Sequence, residues 1–187
     1  MGTALIVVDV QVDFCEGGAL GVKGGNSVAT AVAELLSGDH GYDRVVATRD
    51  HHIDPGSHFS DDPDYVDSWP RHCVVGTPGQ ALHPALSSFT FDAIFDKGSY
   101  EAAYSGFEGT IGGHSDGDRL SAWLRLHDIT KVDVCGIATD YCVRATALDA
   151  AAEGFATRVL VGLTAAVHPD NVPAVVVELN EAGATAE

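Results

Sequence analysis

The stretch Val132-Asp133-Val134-Cys135-Gly136-Ile137-Ala138-Thr139-Asp140-Tyr141-Cys142-Val143-Arg144 constrains the fold most, because an apolar run breaks at small and polar residues and restarts as an alanine-rich segment ending near Gly154. It reads as a buried strand, a tight turn and a helix with Cys142 in its first turn. Free backbone N–H groups and the positive end of the helix dipole at such a place favour an ionised thiol. Cys142 is therefore the candidate nucleophile, set against the default in which a free cysteine is a small buried hydrophobe.

Other runs repeat the pattern. Ala4-Leu5-Ile6-Val7-Val8 is apolar on both faces and ends at Asp9, and Arg44–Arg49 stops at Asp50. Asp92–Asp96 ends at Lys97-Gly98, and Thr157–Val161 is a fifth short strand. Between them, helical spacing appears after Asn26 or Ser27, which can cap a helix closed by Gly38, at Leu120-Trp123-Leu124, and at Val172-Val175-Val176-Leu179 behind Asp170 or Asn171. Strands apolar on both faces alternating with helices predict one α/β domain over 1–187: three layers, α/β/α, with a mainly parallel sheet of five or six strands. The tail Gly183–Glu187 lacks an apolar run for a last edge strand. Ligands of such sheets bind beyond the carboxyl ends of the strands. Asp9, Asp50, Lys97 and Cys142 all lie there.

Composition narrows the function classes. A formal charge of −17, with only Lys23, Lys97 and Lys131 as lysines, disfavours nucleic acid as a partner. With no basic leader and no apolar run of membrane-spanning length, the reading predicts a soluble cytoplasmic protein without a membrane partner. Four cysteines without CxxC spacing read as thiols rather than as a disulfide framework.

The chemistry follows from residue types. A cysteine hydrolase needs a thiolate, a base for its proton and donors for an oxyanion. Asp9 can be the base, and Lys97 can lower the thiol pKa and hold Asp9; alternatively the two form a buried structural pair. From His51 to about residue 90 no period is sustained and five of seven prolines occur, which marks a functional loop region. Asp50, His52, His58 and His72 from this region suit one divalent transition metal ion such as Fe, Mn or Zn. His51 is the odd one out, since neighbouring residues at a strand end point to opposite sides. Phe14 and Trp69, with Tyr104, could wall a small flat ligand.

Taken together, Val8-Asp9-Val10-Gln11, Asp13–Gly18, Asp50–Gly56, His58-Phe59, Ser68-Trp69-Pro70, His72-Cys73, Val75–Gly79, Lys97-Gly98, Tyr104–Phe107, Gly136–Asp140 and Cys142-Val143 resemble the nicotinamidase (pyrazinamidase) branch of the isochorismatase-like cysteine hydrolases. The resemblance implies Asp9, Lys97 and Cys142 as catalytic triad and the metal set Asp50, His52, His58 and His72. It also implies a cis peptide at Ile137-Ala138, with Ala138 and Cys142 N–H as oxyanion hole. A substrate pocket of Phe14, Leu20, Trp69, Tyr104, Ile137 and Tyr141 is expected, as is hydrolysis of nicotinamide, and of pyrazinamide, through a thioester. Competing readings are a superfamily amidase acting on a carbamoyl or ureido group and a non-catalytic metal-binding member. Either a monomer or a small homo-oligomer is compatible with the sequence.

Overall fold

In the computed structural model, which describes residues Met1–Glu187, strand β1 (Gly2–Val8) divides its side chains between two cores. Ala4, Ile6 and Val8 enter one; Leu5 and Val7 enter the other. A strand apolar on both faces must be covered on both. Helix α1 (Gly25–Ser37) covers the Leu5 side with Val28, Ala29 and Val32. The Ile6 side is closed by α2 (Leu120–Leu126), α3 (Arg144–Ala152) and α4 (Val172–Glu181) through Leu120, Trp123, Leu124, Ala147, Val175 and Leu179. The predicted three-layer α/β/α arrangement is the one observed.

The sheet also contains β2 (Arg44–Asp50), β3 (Ala93–Lys97), β4 (Thr110–Ile111), β5 (Ile129–Ile137), β6 (Ala156–Ala165) and β7 (Thr185–Ala186), in the order β4-β3-β2-β1-β5-β6-β7. Only β4 runs antiparallel to its neighbour. The chain winds outward from β1 through β2 and β3, then returns to β5 on β1's other side. This reversal opens a crevice beyond the ends of β1 and β5.

Seven strands replace the five or six expected. Both additions are two-residue edge strands, too short to show a period. The tail pairs in spite of its composition: Thr185 and Ala186 lie beside Arg158 and Val159, and Glu187 exchanges backbone hydrogen bonds with Val159 and Val161. The start of α1 also differs from expectation. Neither Asn26 nor Ser27 caps it; the carboxylate of Glu16, in the preceding loop, accepts from Gly24 N (2.6 Å) and Asn26 N (2.7 Å). Asn171 does precede α4, but without a side-chain capping bond. No helix is long and apolar enough to cross a membrane.

Candidate active site

Register brings the strand ends together. Asp50 and Lys97 pair across β2 and β3, and Asp9 N–H donates to Thr48 O (3.2 Å) just past the end of β1. Asp9 is fully buried, with Thr48 Oγ1 donating to its Oδ1 at 2.6 Å. Lys97 Nζ lies 2.8 Å from Asp9 Oδ2, in ion contact though poorly aligned for a hydrogen bond, so that oxygen keeps no aligned donor. The same ammonium binds Asp50 Oδ1 and stands 3.7 Å from Cys142 Sγ. Thus Asp9, Lys97 and Cys142, spread over more than half the chain, meet at one point.

Their protonation is mutually set. Burial, reinforced by Asp9 and Asp50 against the opposing charge of Lys97, pushes the Cys142 thiol well above its ordinary value. This differs from the expectation of a thiol ionised at rest, because the helix start is dry and two carboxylates face it. Burial also raises Asp9, with Asp50 adding to the effect while Lys97 and Thr48 oppose it. Lys97 is desolvated too, but Asp50, Asp9 and the thiol raise it well above normal, so it remains an ammonium. The site holds a neutral thiol beside a carboxylate more basic than usual, as proton transfer between them requires.

The segment that carries Cys142 is not the first turn of a regular helix. Ile137-Ala138 is a cis peptide, and Thr139–Val143 form a π-helical turn in which Val143 N–H donates to Ala138 O over 3.0 Å; α3 becomes regular from Arg144.

Four residues of the predicted metal set also converge. His52 Nδ1–H donates to Gly98 O (2.6 Å) and His72 Nδ1–H to Pro70 O (2.7 Å), which turns both Nε2 lone pairs toward Asp50 Oδ2, at 3.3 and 3.6 Å. Ligand atoms of His52, His58 and His72 lie within 4.8 Å of one another. His52 Nε2 and His58 Nδ1 are buried without a hydrogen-bond partner. Buried lone pairs without donors, oriented by outer carbonyls beside a carboxylate, fit a divalent cation. Burial and then the neighbouring His52 and His72 push His58 down to about 4, so its imidazole is neutral and can ligate near pH 7. Asp50 is held well below the carboxylate range: burial opposes this, but Lys97, His52 and His72 prevail. His51 turns away, to Gln80 (2.7 Å) and Asp96 (3.6 Å).

A cavity opens on Cys142, Asp50, His58 and His72. All six predicted pocket residues, Phe14, Leu20, Trp69, Tyr104, Ile137 and Tyr141, line it. Trp69 donates its indole N–H to Tyr104 OH (3.3 Å) and meets Tyr141 edge-on, with ring centroids 5.1 Å apart. Val22 and Val167 also line the cavity, and Phe59 packs against His52 and His72 at 5.1 and 5.3 Å. The pattern around these three gave no sign of such roles, since an isolated valine or phenylalanine in a loop looks like any other. Thr48 and Gln11 were missed likewise; Gln11 bridges Asp50 N (2.8 Å), Asp50 O (2.9 Å) and Gln80 O (2.8 Å).

Comparison with known proteins agrees with this fold. The isochorismatase domain model matches residues 3–186. The nicotinamidase/pyrazinamidase of Mycobacterium tuberculosis is 54% identical over 96% of this chain and 95% of its own length. Among solved structures, the pyrazinamidase of Pyrococcus horikoshii in complex with zinc superposes with a TM-score of 0.82 at 34% identity, covering 100% of this chain and 99% of that one. The yeast nicotinamidase bound to the inhibitor nicotinaldehyde gives 0.84 at 29% identity, with 98% of each chain covered. A sheet that winds outward from β1, a buried Asp–Lys–Cys meeting point at its rim and a domain match over nearly the whole length together place this chain in the isochorismatase family.

Proposed function

We propose that this protein is an amidase that hydrolyses nicotinamide, and pyrazinamide, to the ring carboxylate and ammonia, with Asp9, Lys97 and Cys142 as its catalytic residues. One observation carries the reading: a single buried ammonium touches both a basic carboxylate and a thiol, and the thiol lines an aromatic-walled cavity.

In the reaction, Asp9 takes the Cys142 proton and the sulfur attacks the amide carbon. Ala138 and Cys142 N–H receive the developing oxyanion. Protonated Asp9 delivers its proton to the nitrogen as the C–N bond breaks, releasing ammonia and leaving a thioester. Asp9 then accepts a proton from a water molecule as the water oxygen attacks the thioester, and collapse returns the sulfur, reprotonated by Asp9, with the carboxylic acid as product, which ionises by releasing its proton to solvent. Lys97 stays charged throughout and keeps Asp9 aimed. Phe14 and Trp69 sandwich the ring, with Leu20, Tyr104, Ile137 and Tyr141 completing the walls.

Asp50, His52, His58 and His72 would hold one Fe, Mn or Zn ion, which when bound supplies a Lewis-acidic anchor for the ring nitrogen. Four free thiols suit a reducing compartment, and we place the enzyme in the cytoplasm as a monomer or small homo-oligomer. The test is ammonia release from nicotinamide by the wild type beside Cys142→Ala. Turnover abolished by the substitution is expected; turnover retained in Cys142→Ala rejects the mechanism, and a wild type without turnover rejects the substrate.

A further inference from the structure

Parallel pairing between β5 and β6 ends at Ile137 opposite Ala165, where the main chain of β5 leaves the sheet for the nucleophile turn. From here onward the two segments are joined by side chains. Thr139 Oγ1 donates to Thr164 Oγ1 (2.8 Å), which itself donates to Val161 O (2.9 Å). The Asp140 carboxylate accepts from two amides shortly beyond β6, Val167 N to Oδ1 and His168 N to Oδ2, each at 2.9 Å. Asp140 is 9% exposed and Thr139 2%. These are the residues directly between Ala138 and the turn's Tyr141-Cys142, and the segment they grip contains Val167, a wall of the substrate cavity.

We infer that Asp140 is a positioning residue for amide hydrolysis: by clamping the Val167 and His168 amides it continues the β5–β6 ladder past its end and fixes the nucleophile turn against the pocket wall. Neither Asp140 nor Thr139 touches the reacting atoms. Their effect is on the angle between the Ala138 N–H and the Cys142 sulfur, a geometry to which the oxyanion step is more sensitive than ring binding is. A displacement on the order of 1 Å at such a site costs about 10²-fold in rate. Asparagine at 140 keeps the shape but replaces one acceptor with an NH₂ group facing a backbone N–H.

The inference rests on the amidase reading, and the experiment separates the two. Wild type and Asp140→Asn are compared for kcat with nicotinamide, for inhibition by nicotinaldehyde, whose carbonyl takes up the thiol to form a tetrahedral adduct, and for competitive inhibition by nicotinate, which reports ring binding alone. The expected result is a kcat about 10–100-fold lower, a matching loss of aldehyde affinity and nicotinate inhibition within about twofold of wild type. Unchanged kcat and aldehyde affinity, or equal losses for aldehyde and nicotinate, overturn it. Should Asp140→Asn not fold, the same three measurements on Thr139→Val decide: the same split is expected, and wild-type values or an even loss reject the clamp. A wild type inactive on nicotinamide condemns the amidase reading instead.

Discussion

Thr48 Oγ1 donates a 2.6 Å hydrogen bond to Asp9 Oδ1, so the candidate base has one oxygen fixed by a neighbouring strand and the other turned to the Lys97 side. Thr48→Val leaves the buried oxygen without its donor. We expect a loss of about 1–3 kcal/mol in unfolding free energy and a shift in the pH profile. The bond favours ionised Asp9, so its removal raises an already raised pKa, and the acidic limb of kcat/KM moves to higher pH. A limb that stays in place separates Thr48 from the base.

Removing the ammonium should be more damaging than removing the hydroxyl. In metal-free Lys97→Met two buried carboxylates, Asp9 and Asp50, lose the ammonium that pairs with both. Denaturant titration should show a loss of about 3–5 kcal/mol, and kcat should drop by at least about 10²-fold. Near-native stability would mean that the two acids are not held in tension by Lys97.

The histidine cluster predicts metal dependence. Dialysis against a chelator should lower both activity and melting temperature, with Fe, Mn or Zn restoring both, because an ion bound only by the folded chain adds to its stability. His52→Ala should abolish the restoration. A chelated protein with unchanged turnover and melting temperature contradicts the assignment of Asp50, His52, His58 and His72.

Within the connection between β1 and α1, Glu16 provides a pH-dependent contribution. Its carboxylate accepts backbone bonds from Asn26 and Gly24, which hold its pKa below the ordinary 4.5. A folded-state pKa below the unfolded one gives stability that is present above the unfolded value and lost as pH falls through the folded one. Melting temperatures of wild type and Glu16→Gln should therefore differ at pH 7 and converge on strong acidification. A gap constant across that range would show that charge plays no part.

Much of the site was legible because parallel sheets announce themselves. Val8-Asp9, Asp50, Lys97-Gly98 and Cys142 each follow an apolar run, and the topology that gathers strand ends gathers them too. The histidines stood out by clustering in a proline-rich loop. What stayed hidden rests on pairings with no local signature. The two-residue strands β4 and β7 have no period to read, and Glu16 caps a helix that begins nine residues later. Asp140 hydrogen-bonds amides 27 and 28 residues away, a link fixed by tertiary structure alone. A helix start favours a thiolate only where water or net positive charge attends it, and at Cys142 burial and two carboxylates raise the thiol instead.

The most direct test of the central claim is to mix the enzyme with nicotinamide, quench in acid within the first turnovers, and locate any covalent adduct by peptide mass spectrometry. A nicotinoyl thioester on Cys142, absent from Cys15, Cys73 and Cys135 and lost in Asp9→Asn, is the predicted result. Steady formation of nicotinate with no adduct on Cys142, or with an adduct on another cysteine, would contradict it.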